Sequence, residues 1–132
     1  MPRPEHIALA ELLLRKAETD LSAARILAHD AGEHDEAVGF HAQQAAEKSM
    51  KAVLTAAQVA TPRTHDLAFL IDLLVGQQVH MPTVLADADW LSPWAVTTRY
   101  DDVDELLDRS AALDVAQIAI DWANAQLARL AD

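Results

Sequence analysis

Cysteine is absent from this chain of 132 residues, and glycine occurs only three times. Without thiols, the protein has no disulfides, no zinc–thiolate site and no cysteine nucleophile. No uncharged apolar run reaches the roughly 20 residues that a membrane-spanning helix requires. The amino terminus is not followed by an apolar segment that would make a signal peptide. We therefore expect a cytoplasmic protein that does not insert into membranes.

Basic residues are also scarce, with 10 Lys and Arg against 21 Asp and Glu and a net charge of −11. Residues 1–65 carry 7 basic and 9 acidic residues (net −2), and residues 66–132 carry 3 and 12 (net −9). A surface with this balance repels the phosphate backbone, so nucleic acid is not expected as a partner. This charge distribution is compatible with a basic partner, or with a ligand held in a local basic pocket.

Runs of β-branched residues with alternating polarity are absent, whereas alanine and leucine are abundant, which is typical of helical proteins. Apolar residues at helical spacing predict long helices over about 5–31, 35–57 and 110–130, and shorter ones over about 65–78 and 83–91. The length fits one domain, residues 1–132. The short turn between the first two helices predicts that they pair antiparallel. The predicted fold class is an all-α, up-and-down bundle of four to five helices.

Several residues are predicted to mark the ends of these helices. Gly32 suits the position just after the first helix. Thr64 suits the N-cap of the third, and Ser92 the N-cap of a segment in which Pro93 is the first helical residue. Gly39, near the start of the second helix, predicts a close approach by another backbone.

The three tryptophans are assigned from their positions along the apolar stripes. Trp90 and Trp94 are expected to pack in the core. Trp122 lies beside the stripe of the last helix, where either the edge of the core or a dimer contact would suit it. The acidic stretch that ends at Asp108 is expected to be a solvated loop or short turn.

The second helix carries a row of polar side chains beside its apolar stripe, namely His41, Gln44, Glu47, Lys48 and Lys51. A solvated helix face usually carries long charged side chains of either sign, whereas this row combines amide, imidazole, ammonium and carboxylate groups. Such groups could hold an anionic ligand or a partner. They could equally form a buried polar network that fixes helix packing.

Histidine is the remaining candidate for metal binding, since the chain has six histidines and no cysteine. His29 and His34 flank an acidic turn, but no two histidines have the i, i+4 spacing that would place both on one metal. A glycine-rich phosphate loop, a Gly-x-Ser-x-Gly elbow and a nucleotidyltransferase signature are absent as well. We therefore expect no metal site and no cofactor.

Four short motifs follow one another along the chain. They are residues 43–48 (QQAAEK), 51–54 (KAVL), 62–67 (PRTHDL) and 98–100 (TRY). As an ordered set they resemble the HEPN domain (higher eukaryote and prokaryote nucleotide-binding). The resemblance implies a HEPN-like bundle that forms a homodimer. It also implies pairing with a minimal nucleotidyltransferase, as in toxin–antitoxin-like pairs.

Many proteins of the family that the chain resembles are metal-independent ribonucleases in which four to six residues separate an arginine from the histidine that follows it. Here three residues separate Arg25 from His29, one separates Arg63 from His65, and the last helix has no histidine. We therefore assign no catalytic residue and expect a non-catalytic binding module. The alternative is a ribonuclease toxin with a non-standard site, such as His65 with Arg99 and Lys51.

The resemblance also implies a ligand or nucleotide site. It would comprise Gln44, Glu47, Lys48, Lys51, His65, Arg99 and Tyr100. A structural interpretation of the same residues pairs Arg99 with Glu47 inside the bundle. We favour that pair, because a buried carboxylate without a partner is costly and arginine can satisfy it with two hydrogen bonds.

Overall fold

The computed structural model describes residues 2–30, 32, 34–96 and 106–131. These residues form helices and no strand, which confirms the predicted all-α class. The helices are α1 (Pro4–His29), α2 (Asp35–Ala56), α3 (Leu67–Gly76), α4 (Thr83–Ala86), a 3₁₀ helix (Ala88–Ala95) and α5 (Arg109–Ala131).

The centre of the bundle is α2, of which 15 of 22 residues are buried. It packs along α1, and also against α5, the 3₁₀ helix and α3. Alanines at positions 42, 45 and 46 are fully buried and let the neighbouring helices come close, while Met50 and Leu54 fill the middle of the core. Because α2 is enclosed on several sides, its polar side chains must find partners within the protein.

The turn between α1 and α2 is built from side chains rather than from a left-handed glycine. Asp30 is the C-cap of α1, and its Oδ1 accepts a hydrogen bond of 2.9 Å from the amide of Gly32. The φ angle of Gly32 is not positive. The predicted helix-ending role of Gly32 is therefore wrong, because the Asp30 carboxylate closes the turn.

Two predicted caps are also wrong. The N-cap of α3 is Asp66, whose Oδ1 accepts from the amide of Ala68 at 3.0 Å, whereas the Thr64 hydroxyl accepts from the amide of Asp66, before the helix begins. Ser92 lies inside the 3₁₀ helix, and its Oγ accepts from the amide of Leu67 at 2.9 Å. Ser92 thus caps the start of α3, a helix that precedes it in the chain.

Gly39 allows a close approach, but of a side chain. A Cβ atom at this position would lie 2.5 Å from Cε3 of Trp94, so the indole ring packs directly on the backbone of α2. The predicted approach by another backbone is wrong, because the 3₁₀ helix presents its buried tryptophan here.

The three tryptophans have different environments. Trp94 is buried, as predicted, but Trp90 is 41% exposed and does not belong to the core, because it lies on the outer side of the short 3₁₀ helix. Trp122 is 6% exposed and its Nε1 donates to the carbonyl of His80 at 2.8 Å. Trp122 therefore belongs to the edge of the core, the first of the two predicted alternatives.

Candidate functional site

The Glu47 carboxylate is the centre of a polar cluster on α2, which we call the Glu47 cluster and which comprises Gln43, Gln44, Glu47, Lys51 and His65. Glu47 is 4% exposed. Its Oε1 accepts from Gln43 Nε2 at 3.1 Å and lies 2.8 Å from His65 Nδ1, and its Oε2 accepts from Lys51 Nζ at 3.0 Å. The spacing of three and four residues along α2 places these side chains on one face.

The two glutamines of the cluster tie α2 to the loop before α3. Gln43 Nε2 also donates to the carbonyl of His65 at 2.9 Å, and Gln44 Nε2 donates to Gln43 Oε1 at 2.8 Å. Both glutamines are buried, and Gln43 is fully so. The side-chain amides therefore form hydrogen bonds with each other, with Glu47 and with the loop backbone, as buried polar groups must.

The Glu47 cluster combines a carboxylate with an ammonium and an imidazole. Since a carboxylate can only accept, His65 Nδ1 is the donor in its hydrogen bond with Glu47. The side chain of His65 is 69% exposed, that of Lys51 is 18% exposed, and that of Glu47 only 5%. Chemically, the cluster can present one oriented imidazole and part of an ammonium group to solvent, while its carboxylate stays inside.

Lys48 does not join this cluster. Its Nζ lies 2.5 Å from Oδ2 of Asp20 on α1, and the other oxygen, Oδ1, lies 2.9 Å from His41 Nδ1. Asp20 is buried at 8% exposure. The polar row of α2 therefore divides into two groups, one around Glu47 and one around Asp20. Our sequence reasoning missed Asp20, although a carboxylate within the apolar stripe of α1 was a signal for it.

Arg99 and Tyr100 lie outside the described residues, and so does the predicted pair of Arg99 with Glu47. Among the described residues, Lys51 forms an ion pair with Glu47, and His65 is its imidazole hydrogen-bond partner. Of the seven predicted ligand-binding residues, the structure thus brings together Gln44, Glu47, Lys51 and His65.

Two further features concern metal binding and membrane insertion. No group of three or more His, Asp and Glu among the described residues is placed to hold a metal ion. Within the described helices, none combines the length and the apolar character needed to cross a membrane.

Asp30, in the turn between α1 and α2, has a lowered pKa and lies away from the Glu47 cluster. The hydrogen bond from the Gly32 amide, and then the hydrogen bond and charge of His34, hold the pKa of Asp30 below its ordinary value. The carboxylate is exposed to solvent. Its lowered pKa therefore reflects the geometry of the turn and gives no sign of a catalytic centre.

The sequence was compared with family models, curated proteins and solved structures. The model of the HEPN domain matches residues 10–126. The comparisons with curated proteins and with solved structures give no match. Since the family model covers most of the chain and the bundle is entirely helical in its described part, the chain belongs to the HEPN domain family.

Proposed function

We propose that this HEPN domain is a non-catalytic module that forms a homodimer and binds a minimal nucleotidyltransferase, as in a toxin–antitoxin-like pair. The observation that carries the proposal is the enclosure of Glu47. Its two oxygens accept from Gln43 and Lys51 and contact His65, so they are occupied within the fold. A polar row engaged in this way favours a scaffold over a catalytic cleft.

The arrangement of arginine and histidine supports the non-catalytic assignment. A metal-independent ribonuclease needs an imidazole for proton transfer and a guanidinium that holds the phosphate charge. Arg25 and His29 lie on α1, whereas Arg63 and His65 lie in the loop before α3, and α5 contains no histidine. Neither pair has the family's spacing. Chemical activity would then belong to the partner chain.

Charge supports a protein partner rather than RNA. The net charge of −11 is concentrated after residue 65, and such a surface repels nucleic acid and attracts a basic protein face. A contribution of the Glu47 cluster to nucleotide or substrate binding by the complex would use its outward groups, His65 and Lys51.

Co-purification tests the proposal. The tagged chain is expressed together with the minimal nucleotidyltransferase encoded beside its gene, and light scattering during gel filtration gives the mass of each species. We expect a stable complex, and for the chain alone a mass of twice 14.4 kDa. A monomer that does not retain the nucleotidyltransferase, or the lack of such a neighbouring reading frame, would contradict the proposal.

The ribonuclease alternative is favoured by one observation, the exposed His65 imidazole that Glu47 orients at 2.8 Å. Incubation of the purified chain with single-stranded RNA in the absence of metal tests it. We expect no cleavage. Cleavage that disappears in His65→Ala and persists in His80→Ala, a change at another exposed histidine outside the Glu47 cluster, would establish the alternative instead.

A further inference from the structure

A groove of about 400 Å³ lies between α5 and the segment formed by α4 and the 3₁₀ helix, and we call it the Trp90 groove. Its volume is at the low end of ligand cavities, about 300–1,000 Å³, so it accepts side chains rather than an entire helix. The groove shares no residue with the Glu47 cluster. Apolar residues make up most of its lining, which consists of Val84, Asp87, Trp90, Ala111, Asp114, Val115 and Ile118.

The spacing of the lining residues explains how two helical faces form the groove. The four residues from α5 are three and four positions apart, so they share one face of that helix. The three residues from α4 and the 3₁₀ helix recur at every third position, the repeat of a 3₁₀ helix, and therefore lie on one side. Because α4 packs against α5, the two faces meet and border one groove.

Two large apolar side chains remain exposed at this groove. Trp90 is 41% exposed and Val84 is 49% exposed, whereas Val115 between them and the core is only 2% exposed. Covering exposed apolar surface favours association, and tryptophan is among the residues that contribute most to binding when a partner buries them. The apolar part of the groove is thus suited to take an apolar side chain of a partner.

A carboxylate borders the groove on each side, Asp87 from the junction of α4 and the 3₁₀ helix and Asp114 from α5. Both are exposed, and neither forms an ion pair with any of the described residues. Asp114 also borders a neighbouring cavity that contains Arg25 and Arg109, but these arginines form their hydrogen bonds with other groups. The two carboxylates are therefore available to cations of a partner.

The charge of the two elements selects the kind of partner. Residues 83–95 contain two Asp and no Lys or Arg, and residues 110–128 also contain two Asp and no Lys or Arg. A second copy of the chain would bring the same carboxylates to the contact, and its residues 1–65 carry a net charge of −2, so it does not fit this groove. A basic segment supplies the opposite charge, and its cations can also contact the face of the Trp90 ring.

We propose that the Trp90 groove binds a segment of a partner protein in which a large apolar side chain is flanked by lysine or arginine. The apolar side chain packs against Trp90 and Val84, while the flanking cations pair with Asp87 and Asp114. This inference goes beyond the proposed function, because it names the surface of the chain that receives a partner and the chemistry of the segment that is received.

The test is calorimetric titration of the full chain with a synthetic peptide whose central Leu-Phe pair is flanked on each side by three lysines. Two further probes are the same peptide with Gly-Gly at its centre and phenethylammonium, a small organic cation. We expect the Leu-Phe peptide to bind more tightly than both, with an affinity that falls as the salt concentration rises. In ¹⁵N NMR spectra, the shifts should be confined to residues 84–90 and 111–118.

Variants of the groove and matched variants outside it locate the binding. Trp90→Ala should weaken the Leu-Phe peptide about tenfold or more, as expected for a tryptophan that dominates an interface. Phe69→Ala removes another exposed aromatic ring, on α3, and should leave the affinity unchanged. Asp87→Asn and Asp114→Asn should each weaken it about two- to fivefold, the size of an exposed ion pair. Asp72→Asn makes the same change of charge at an exposed position of α3 and should have almost no effect.

The five substituted positions are exposed, so all variants should keep the fold, which far-UV circular dichroism checks. The Asp87 side chain also caps neither helix at which it lies, so its replacement removes no hydrogen bond of a helix end.

Four outcomes would overturn the proposal. The first is the absence of saturable binding of the Leu-Phe peptide at millimolar concentration, and the second is equal weakening in the variants of α3. Equal affinity for the Gly-Gly peptide would show attraction to an acidic surface alone. Equal affinity for phenethylammonium would identify a small-molecule site instead. The titration uses no nucleotidyltransferase, so its failure leaves the co-purification result unaffected.

Discussion

Arg109, the first residue of α5, binds Asp35, the first residue of α2, with its Nε 2.6 Å from Oδ1 of the carboxylate. The same guanidinium donates from NH1 to the carbonyls of Ala28 and Asp30, and from NH2 to the carbonyl of Gly32. One side chain thus joins the end of α1, the start of α2 and the start of α5. It satisfies carbonyl groups that the end of a helix leaves without partners.

Replacing Arg109 should destabilise the bundle through this junction. We expect Arg109→Ala to lower the free energy of unfolding by about 2–3 kcal/mol, because an acceptor carboxylate and several carbonyls lose a shared donor. Arg109→Lys should recover little of the loss, since an ammonium cannot reproduce the planar fork. Urea denaturation followed by circular dichroism measures both variants. Arg129→Ala serves as the control and should change stability by less than about 0.5 kcal/mol, and a fully stable lysine variant would contradict the junction.

Two glycines should respond in opposite directions to the same substitution. Gly39→Ala places a methyl group against the Trp94 ring, where an ideal Cβ lies 2.5 Å from Cε3, and should cost about 1–3 kcal/mol despite the gain in helix propensity. Gly76→Ala, at the end of α3, meets nothing within 4 Å and should be neutral or stabilising by up to about 1 kcal/mol.

Thermal and urea unfolding of the two variants test this contrast. Trp94→Leu in the Gly39→Ala background should recover part of the loss, because the smaller side chain leaves room for the methyl group. A Gly39→Ala protein as stable as the wild type would show that the indole ring does not pack on α2 as described.

The Asp30 carboxylate predicts a dependence of stability on pH in the acid range. The hydrogen bond from the Gly32 amide, followed by the hydrogen bond and charge of His34, lowers the pKa of Asp30 from its ordinary value of 3.8. Because the folded state binds this proton less readily than the unfolded state, Asp30 contributes stability above the unfolded pKa. That contribution is lost as the pH falls through the folded pKa.

An NMR titration of the Asp30 carboxyl carbon should give a midpoint below 3.8. Asp30→Ala should be less stable than the wild type near neutral pH, and the difference should shrink as the solution is acidified. A midpoint at or above the ordinary value, or a difference that grows at low pH, would be inconsistent with the described turn.

The long helices could be predicted from sequence because apolar periodicity reports burial directly. The ranges 5–31, 35–57 and 110–130 lie within about two residues of α1, α2 and α5. The short elements could not be predicted as well, because their caps depend on contacts distant in sequence. Ser92 was predicted to cap the segment that follows it, whereas its hydroxyl accepts from the amide of Leu67. In addition, α3 is shorter than predicted, and the segment after Pro82 divides into α4 and a 3₁₀ helix.

The candidate site shows the same division. Helical spacing placed Gln44, Glu47 and Lys51 on one side of α2, and the family resemblance added His65, which the structure brings to Glu47. The side chain of Lys48 pairs with Asp20 of α1, and this partner could not be derived from the sequence of α2 alone. The role of Arg109 likewise depends on the tertiary position of the α1–α2 turn.

The stability of Glu47→Ala tests most directly whether the polar row of α2 supports the fold rather than a reaction. Removing the carboxylate takes away the shared acceptor of Gln43, Lys51 and His65, so the free energy of unfolding should fall by about 2–4 kcal/mol. Glu18→Ala, at an exposed position of α1, should change it by less than about 0.5 kcal/mol. A Glu47→Ala protein at least as stable as the wild type would contradict a role in the fold and would identify Glu47 as a group kept for a ligand.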